Sequence, residues 1–197
     1  MPTASRFELW RDAFLQVVRE PEFAVPLKES SLAEDLKTWT ACLTSCVVSS
    51  CRQLGWLAAA KSHRLEKLPL PRQEYLGLDI MAFLAEPSPG RWRFPAAVFE
   101  LENDRSDDRV AYSLWKVLCV GAPLRVVFAF RPDWETSRHS VNAIRADVIG
   151  SLAVADRAAI TGEVVLVMGN RGEGETFPHG YFKFWKLDSN DGKFEKV

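Results

Sequence analysis

Three carboxylates stand where core residues are expected: Asp79 inside the apolar run YLGLDIMAFL, and Glu100 and Glu102 in VFELEN. Strand side chains alternate in direction, so Glu100 and Glu102 share one face while Phe99 and Leu101 take the other. Desolvating unpaired carboxylates is costly, and the remedies are a shared proton, a basic partner or a divalent cation. The third makes a metal site. A phosphodiester attacked in line by water needs that water deprotonated, the equatorial oxygens stabilised and the leaving alkoxide assisted. Magnesium held by hard oxygen ligands meets all three needs, typically through one or two carboxylates plus waters and substrate phosphate. Asp79 and Glu100 are then the metal ligands, joined by the Leu101 backbone carbonyl, with Mn2+ as the substitute ion. Glu102 orients or deprotonates the attacking water, or binds a second ion.

The elements that must position these groups follow from periodicity. Arg6 to Val18 reads as an amphipathic helix with Phe7, Trp10, Phe14 and Val17 or Val18 on one side. Ser31 and Glu34 form a capping-box pattern, predicting a second helix from Ser31 through Trp39, Leu43 and Val47 to Gly55. GWLAAAKSHRLEK is open between helix and a first strand. Tyr75 to Leu84 and Trp92 to Asn103 read as strands of a hairpin turning at EPSPGR, which sets Asp79 and Glu100 on neighbouring strands. Ser106 opens a helix closed by Gly121, and a buried strand, Leu124 to Phe130, follows. A strand, helix, strand succession predicts a parallel crossover and an α/β layered domain. A further helix from about Ser140 to Ala155, a strand Glu163 to Met168, and a C-terminal hairpin around Asn190-Asp191-Gly192 complete the chain.

Several residues have plainer readings. Glu102, beside Asn103 and Asp104, fits a solvated strand end, and Asp79 fits the wet face of a half-exposed strand. Glu74 could serve as an auxiliary acid but suits an exposed loop better. Lys116, at 100° per residue, falls nearly opposite the face of Val110, Leu114 and Val117, so it reads as a solvated helix lysine. Lys61, His63, Arg64, Lys67 and Arg72, with Arg91 and Arg93, could track a phosphate backbone, though such segments are commonly plain surface. His63, His139 and His179 lack zinc-ligand spacing. The glycines of MGNRGEGE match neither dinucleotide nor P-loop spacing and read as a flexible loop.

Helix, then a hairpin carrying Asp on one strand and Glu-x-Glu on the next, then helix and strand, resembles the PD-(D/E)XK, restriction-endonuclease-like superfamily. The text LDIMAF, VFELEN and SLWKVLCVGAPLRVVFAF carries the resemblance, over about residues 31–130. It implies an αβββαβ core with a mixed sheet flanked by helices, plus an extra C-terminal helix and strands over 131–197. It also implies Mg2+-dependent hydrolysis of nucleic acid, DNA ahead of RNA, with Asp79 and Glu100 as the matching metal-binding residues. Glu102 stands where most members have Lys, a departure at the position of the water-activating group. The alternative is a catalytically degenerate module that binds protein or nucleic acid.

A chain of 197 residues, 47% hydrophobic with seven Trp, fits a single domain over 1–197 with a real core. Its formal net charge of −1 argues against nucleic-acid coating driven by charge alone but leaves room for a local basic patch with bound metal. Cys42, Cys46 and Cys51 cluster away from Cys119, which reads as buried thiols rather than a disulfide framework. Without a signal pattern or membrane-length apolar run, the expected location is the cytoplasm, with no membrane partner. Cutting both strands of a duplex would favour a homodimer, which no sequence feature demonstrates.

Overall fold

In a computed structural model of the chain, residues 4–66, 68–85 and 92–197 are described. They form one seven-stranded sheet in the spatial order β1-β2-β3-β4-β5-β6-β7, the same as the chain order. The strands are β1 (Trp56–Ala60), β2 (Ile80–Leu84), β3 (Ala97–Leu101), β4 (Leu124–Arg131), β5 (Glu163–Asn170), β6 (Phe182–Asp188) and β7 (Lys193–Lys196). β1, β2 and β3 pair antiparallel, β3, β4 and β5 pair parallel, and β5, β6 and β7 pair antiparallel. The EPSPGR turn expected between β2 and β3 lies outside the described residues, as do Lys67 and Arg91.

α1 (Arg6–Val17) begins where Ser5 accepts from the Glu8 N–H and the Glu8 carboxylate accepts from the Ser5 N–H. This reciprocal cap satisfies donors that a helix start leaves open. The Ser31–Glu34 pattern, by contrast, opens no helix. Ser31 lies in the last turn of α2 (Pro21–Leu32), which starts with proline at its first position. α3 (Leu36–Gln53) is capped instead by Asp35, which accepts from the Thr38 N–H. An Asp one residue after Glu34 outcompetes the serine, whose hydroxyl lies 3.2 Å from that of Tyr181. α3 leads into β1, so Trp56–Ala60 of the ambiguous stretch is a strand, while residues 61–66 form a turn and isolated bridges.

α4 (Asp107–Leu118) joins β3 to β4 as the predicted crossover. α5 (Trp134–Ile144) starts at Asp133, seven residues before the expected Ser140, because the Asp133 side chain caps the Thr136 N–H. It widens into a π-helical turn at Arg145–Ile149, and a short α6 (Val154–Ala158) follows. The C-terminal hairpin forms as expected, with Gly192 at φ 70°.

The sheet is filled on both faces. On one face Trp10 and Phe14 of α1 and Trp39 of α3 pack over Phe99, Phe128 and Phe130. On the other, Val110, Leu114 and Val117 of α4 and Val141 and Ile144 of α5 cover Val98, Val127 and Leu166. Cys46 and Cys51 are buried in the first layer, and burial pushes both thiols up, as the buried-thiol reading expects, but Cys42 is half-buried and Cys119 exposed, against that reading. Among the described residues, no helix is long and apolar enough to cross a membrane.

Trp10, fully buried and ringed by Phe14, Phe99, Phe128 and Phe184, anchors this layer. Trp10→Ala should cost about 3–5 kcal/mol of unfolding free energy by denaturant titration. Half-exposed Trp115→Ala should stay within about 0.5 kcal/mol. Equal losses would contradict this layering.

Candidate active site

β2 and β3 stop pairing at Ile80 and Phe99, and continuing the register sets Asp79 opposite Glu100. The alternation of each strand puts Asp79 with Met81 and Phe83, and Glu100 with Val98, on the face covered by α4. Two carboxylates therefore meet between strand and helix, with Glu100 only 4% exposed.

Each carboxylate takes up a backbone donor of the other strand. The Leu101 N–H donates to Asp79 Oδ2 at 2.8 Å, and the Asp79 N–H donates to Glu100 Oε1 at 3.3 Å. The side chains thus continue the ladder past the point where the backbones part. N–H and C=O of a strand residue point to the same side, so the Leu101 carbonyl is directed toward the Asp79 side as well.

The cation is Lys116, which the helical wheel had turned toward solvent. Its Nζ lies 2.7 Å from Glu100 Oε2 and donates to the Gly77 carbonyl at 2.9 Å. Lys116 sits on the Ser113 flank of the α4 stripe, and Ser113 is buried. A lysine stem can lie along apolar surface while its head reaches a distant partner, so Cα direction alone misplaces the charge. Gly77 supplies the oxygen from a tight turn at φ 66°, a conformation that favours glycine.

Glu102 sits one residue past β3 and is half-buried. Its Oε1 accepts from the Asp104 N–H at 2.8 Å, and Ser113 Oγ lies 3.5 Å from Oε2. It raises the Asp79 pKa through space, as does exposed Glu74, so both carboxylates lie within electrostatic reach of the pair. Among the described residues, however, no group of three or more His, Cys, Asp or Glu side chains is arranged to hold a metal ion. Asp79 and Glu100 come together; Glu102 attends from the strand end.

Burial pushes the Glu100 carboxyl up from 4.5 to about 7; Lys116 pulls it down and the Asp79 charge pushes it further up. Burial also raises Asp79, against the Leu101 N–H and Lys116. Lys116 supplies an ammonium to the pair, and the raised carboxyls mean that either a shared proton or a further cation can offset the remaining charge. The carboxylate oxygens are hard donors of the kind magnesium and manganese take, but here Lys116 and two backbone N–H groups engage them.

The basic segment is dispersed. His63 Nε2 lies 3.2 Å from Ser45 Oγ, Arg64 pairs with Glu66, and Arg93 donates to the Leu84 carbonyl. None of these contacts reaches the carboxylate pair. Compared with protein-family models, curated proteins and solved structures, the chain finds no match.

A carboxyl whose folded-state pKa lies above its unfolded one favours the folded chain while protonated. That contribution is complete below pH 4.5 and is lost as pH rises through about 7. In chelator-containing buffer, wild type should therefore lose stability relative to Glu100→Gln across that window, as read by urea unfolding at stepped pH. Stability curves that stay parallel would show that Glu100 ionises without penalty.

Proposed function

We propose that the protein is a metal-dependent phosphodiesterase acting on nucleic acid, DNA ahead of RNA, built on a restriction-endonuclease-like core. The observation that carries this reading is the apposition of half-buried Asp79 and buried Glu100, held beside a lysine. The order α3, β1, β2, β3, α4, β4, with antiparallel, antiparallel and parallel pairing, is the αβββαβ succession that the resemblance implies.

In this reading Asp79, Glu100 and the Leu101 carbonyl hold Mg2+ or Mn2+. The ion supplies Lewis-acid stabilisation of the phosphoryl oxygens and a lowered pKa for bound water. Lys116 takes the part of the motif lysine missing at Glu102, delivered from α4 instead of β3. Its ammonium, steadied by Glu100 and the Gly77 carbonyl, can orient the attacking water and offset charge developing on the phosphate. In this reading Glu102, its Oε1 held by the Asp104 N–H, accepts a proton from that water.

A second reading keeps the fold without the reaction. Lys116 and two backbone N–H groups already occupy oxygens of the pair, a set of contacts that also suits a degenerate module binding nucleic acid or protein. Incubation of plasmid and single-stranded substrates with Mg2+ or Mn2+ separates the two. Under the leading reading, Asp79→Ala and Glu100→Ala each lower cleavage by at least about 100-fold, and Lys116→Ala by about 100-fold. Retained nucleic-acid binding with no hydrolysis by wild type supports the degenerate module. Hydrolysis that survives both carboxylate substitutions refutes the proposed site.

A further inference from the structure

A separate cavity of about 510 Å³ opens at the carboxyl ends of the parallel strands β4 and β5. Its charged lining comprises Arg105, Arg131 and Arg171 against Glu34 and Asp107. These charges pair unevenly. Arg131, 3% exposed, sends Nη2 to Asp107 Oδ1 at 2.6 Å, Nε to Ser140 Oγ at 2.7 Å and Nη1 to the Phe130 carbonyl at 2.7 Å. Its charge is met. Arg105 reaches Glu34 at 4.0 Å, with both side chains open to solvent, a pairing of little strength.

Arg171 is left over. Among the described residues no group hydrogen-bonds or ion-pairs with its guanidinium, which is half-buried over the Phe130 ring, 5.2 Å from the centroid. A ring satisfies the face of a guanidinium but not its five in-plane N–H donors. Taking such a cation partly out of water without an acceptor is unfavourable, and a phosphate offers the bidentate oxygens that match the fork. The volume suits a small phosphorylated ligand or a short stretch of strand. The carboxyl ends of the strands are also where open α/β sheets commonly take ligands.

We propose that this cavity binds a phosphate group, with Arg171 as its principal donor and Arg105 assisting at the rim. The assignment stands apart from the carboxylate pair, and a free phosphate, a terminal monoester or a backbone diester could each supply the group. Calorimetric titrations in chelating buffer, which prevents metal-dependent cleavage, test it. The probes are inorganic phosphate, a 5′-phosphorylated oligothymidylate and the same oligonucleotide with a 5′-hydroxyl.

Wild type should bind at least one probe, and Arg171→Gln should weaken that binding about tenfold or more, the scale of a charge-assisted hydrogen bond. Arg138→Gln, an equal change of charge on the exposed surface of α5, should leave it unchanged. Preference for inorganic phosphate and the 5′-phosphorylated strand identifies a monoester site; equal binding of the 5′-hydroxyl strand identifies a diester site. Both outcomes support the proposal. Absence of binding to all three probes overturns it, as does an Arg171→Gln protein with wild-type affinity or an equal loss in Arg138→Gln. Should Arg171→Gln fail to fold by circular dichroism, exposed Arg105→Gln replaces it, with a loss of about threefold expected and unchanged affinity overturning the proposal.

Discussion

Where β2 and β3 separate, two carboxylates face each other across the sheet. The arrangement survives because each accepts a backbone N–H from the opposite strand and a lysine arrives from the helix above. Removing one member would strand the rest: a backbone donor without an acceptor, or a half-buried charge without its counterpart. Burial, with the Asp79 charge adding to it, raises the Glu100 carboxyl and gives an otherwise ordinary strand end an unusual acid.

The layers serve that constraint directly. Phe99 and Leu101 lock one face of β3 against the layer containing α1 and α3, which turns Glu100 toward α4. α4 in turn buries Val110, Leu114 and Val117, fixing the rotation that brings Lys116 within reach. The same parallel crossovers set the ends of β4 and β5 side by side and create the arginine-lined cavity. Both sites thus arise at strand ends, where backbone pairing gives way to side-chain chemistry.

Much of this was legible in the sequence because alternation and caps are local signals. The hairpin reading brought Asp79 beside Glu100, although β2 begins at Ile80 rather than Tyr75 and leaves Asp79 one residue before the strand, and the helix between VFELEN and LRVVFAF required a parallel return. The predicted start at Ser31 failed because capping is a competition: Asp35 opens α3, while Ser31 falls in the last turn of α2, a helix opened by Pro21 that periodicity did not predict. Lys116 was weighed and set aside because a helical wheel tracks Cα positions, whereas a long flexible side chain reaches around the cylinder. Ser113, three residues earlier, is the signal that this flank of α4 is more polar than its core stripe. Arg171 gave no comparable sign: its turn lacks a phosphate-binding glycine spacing, and its significance depends on Phe130, distant in sequence.

The central physical claim is that the Asp79–Glu100 pair can accept a divalent ion. Titrating Mn2+ into the protein while following the electron paramagnetic resonance signal of the free ion measures this without requiring catalysis. The claim predicts one saturable site in wild type that disappears in both Asp79→Asn and Glu100→Gln. A wild-type protein that leaves the free-ion signal unchanged, or variants that retain the site, would contradict it.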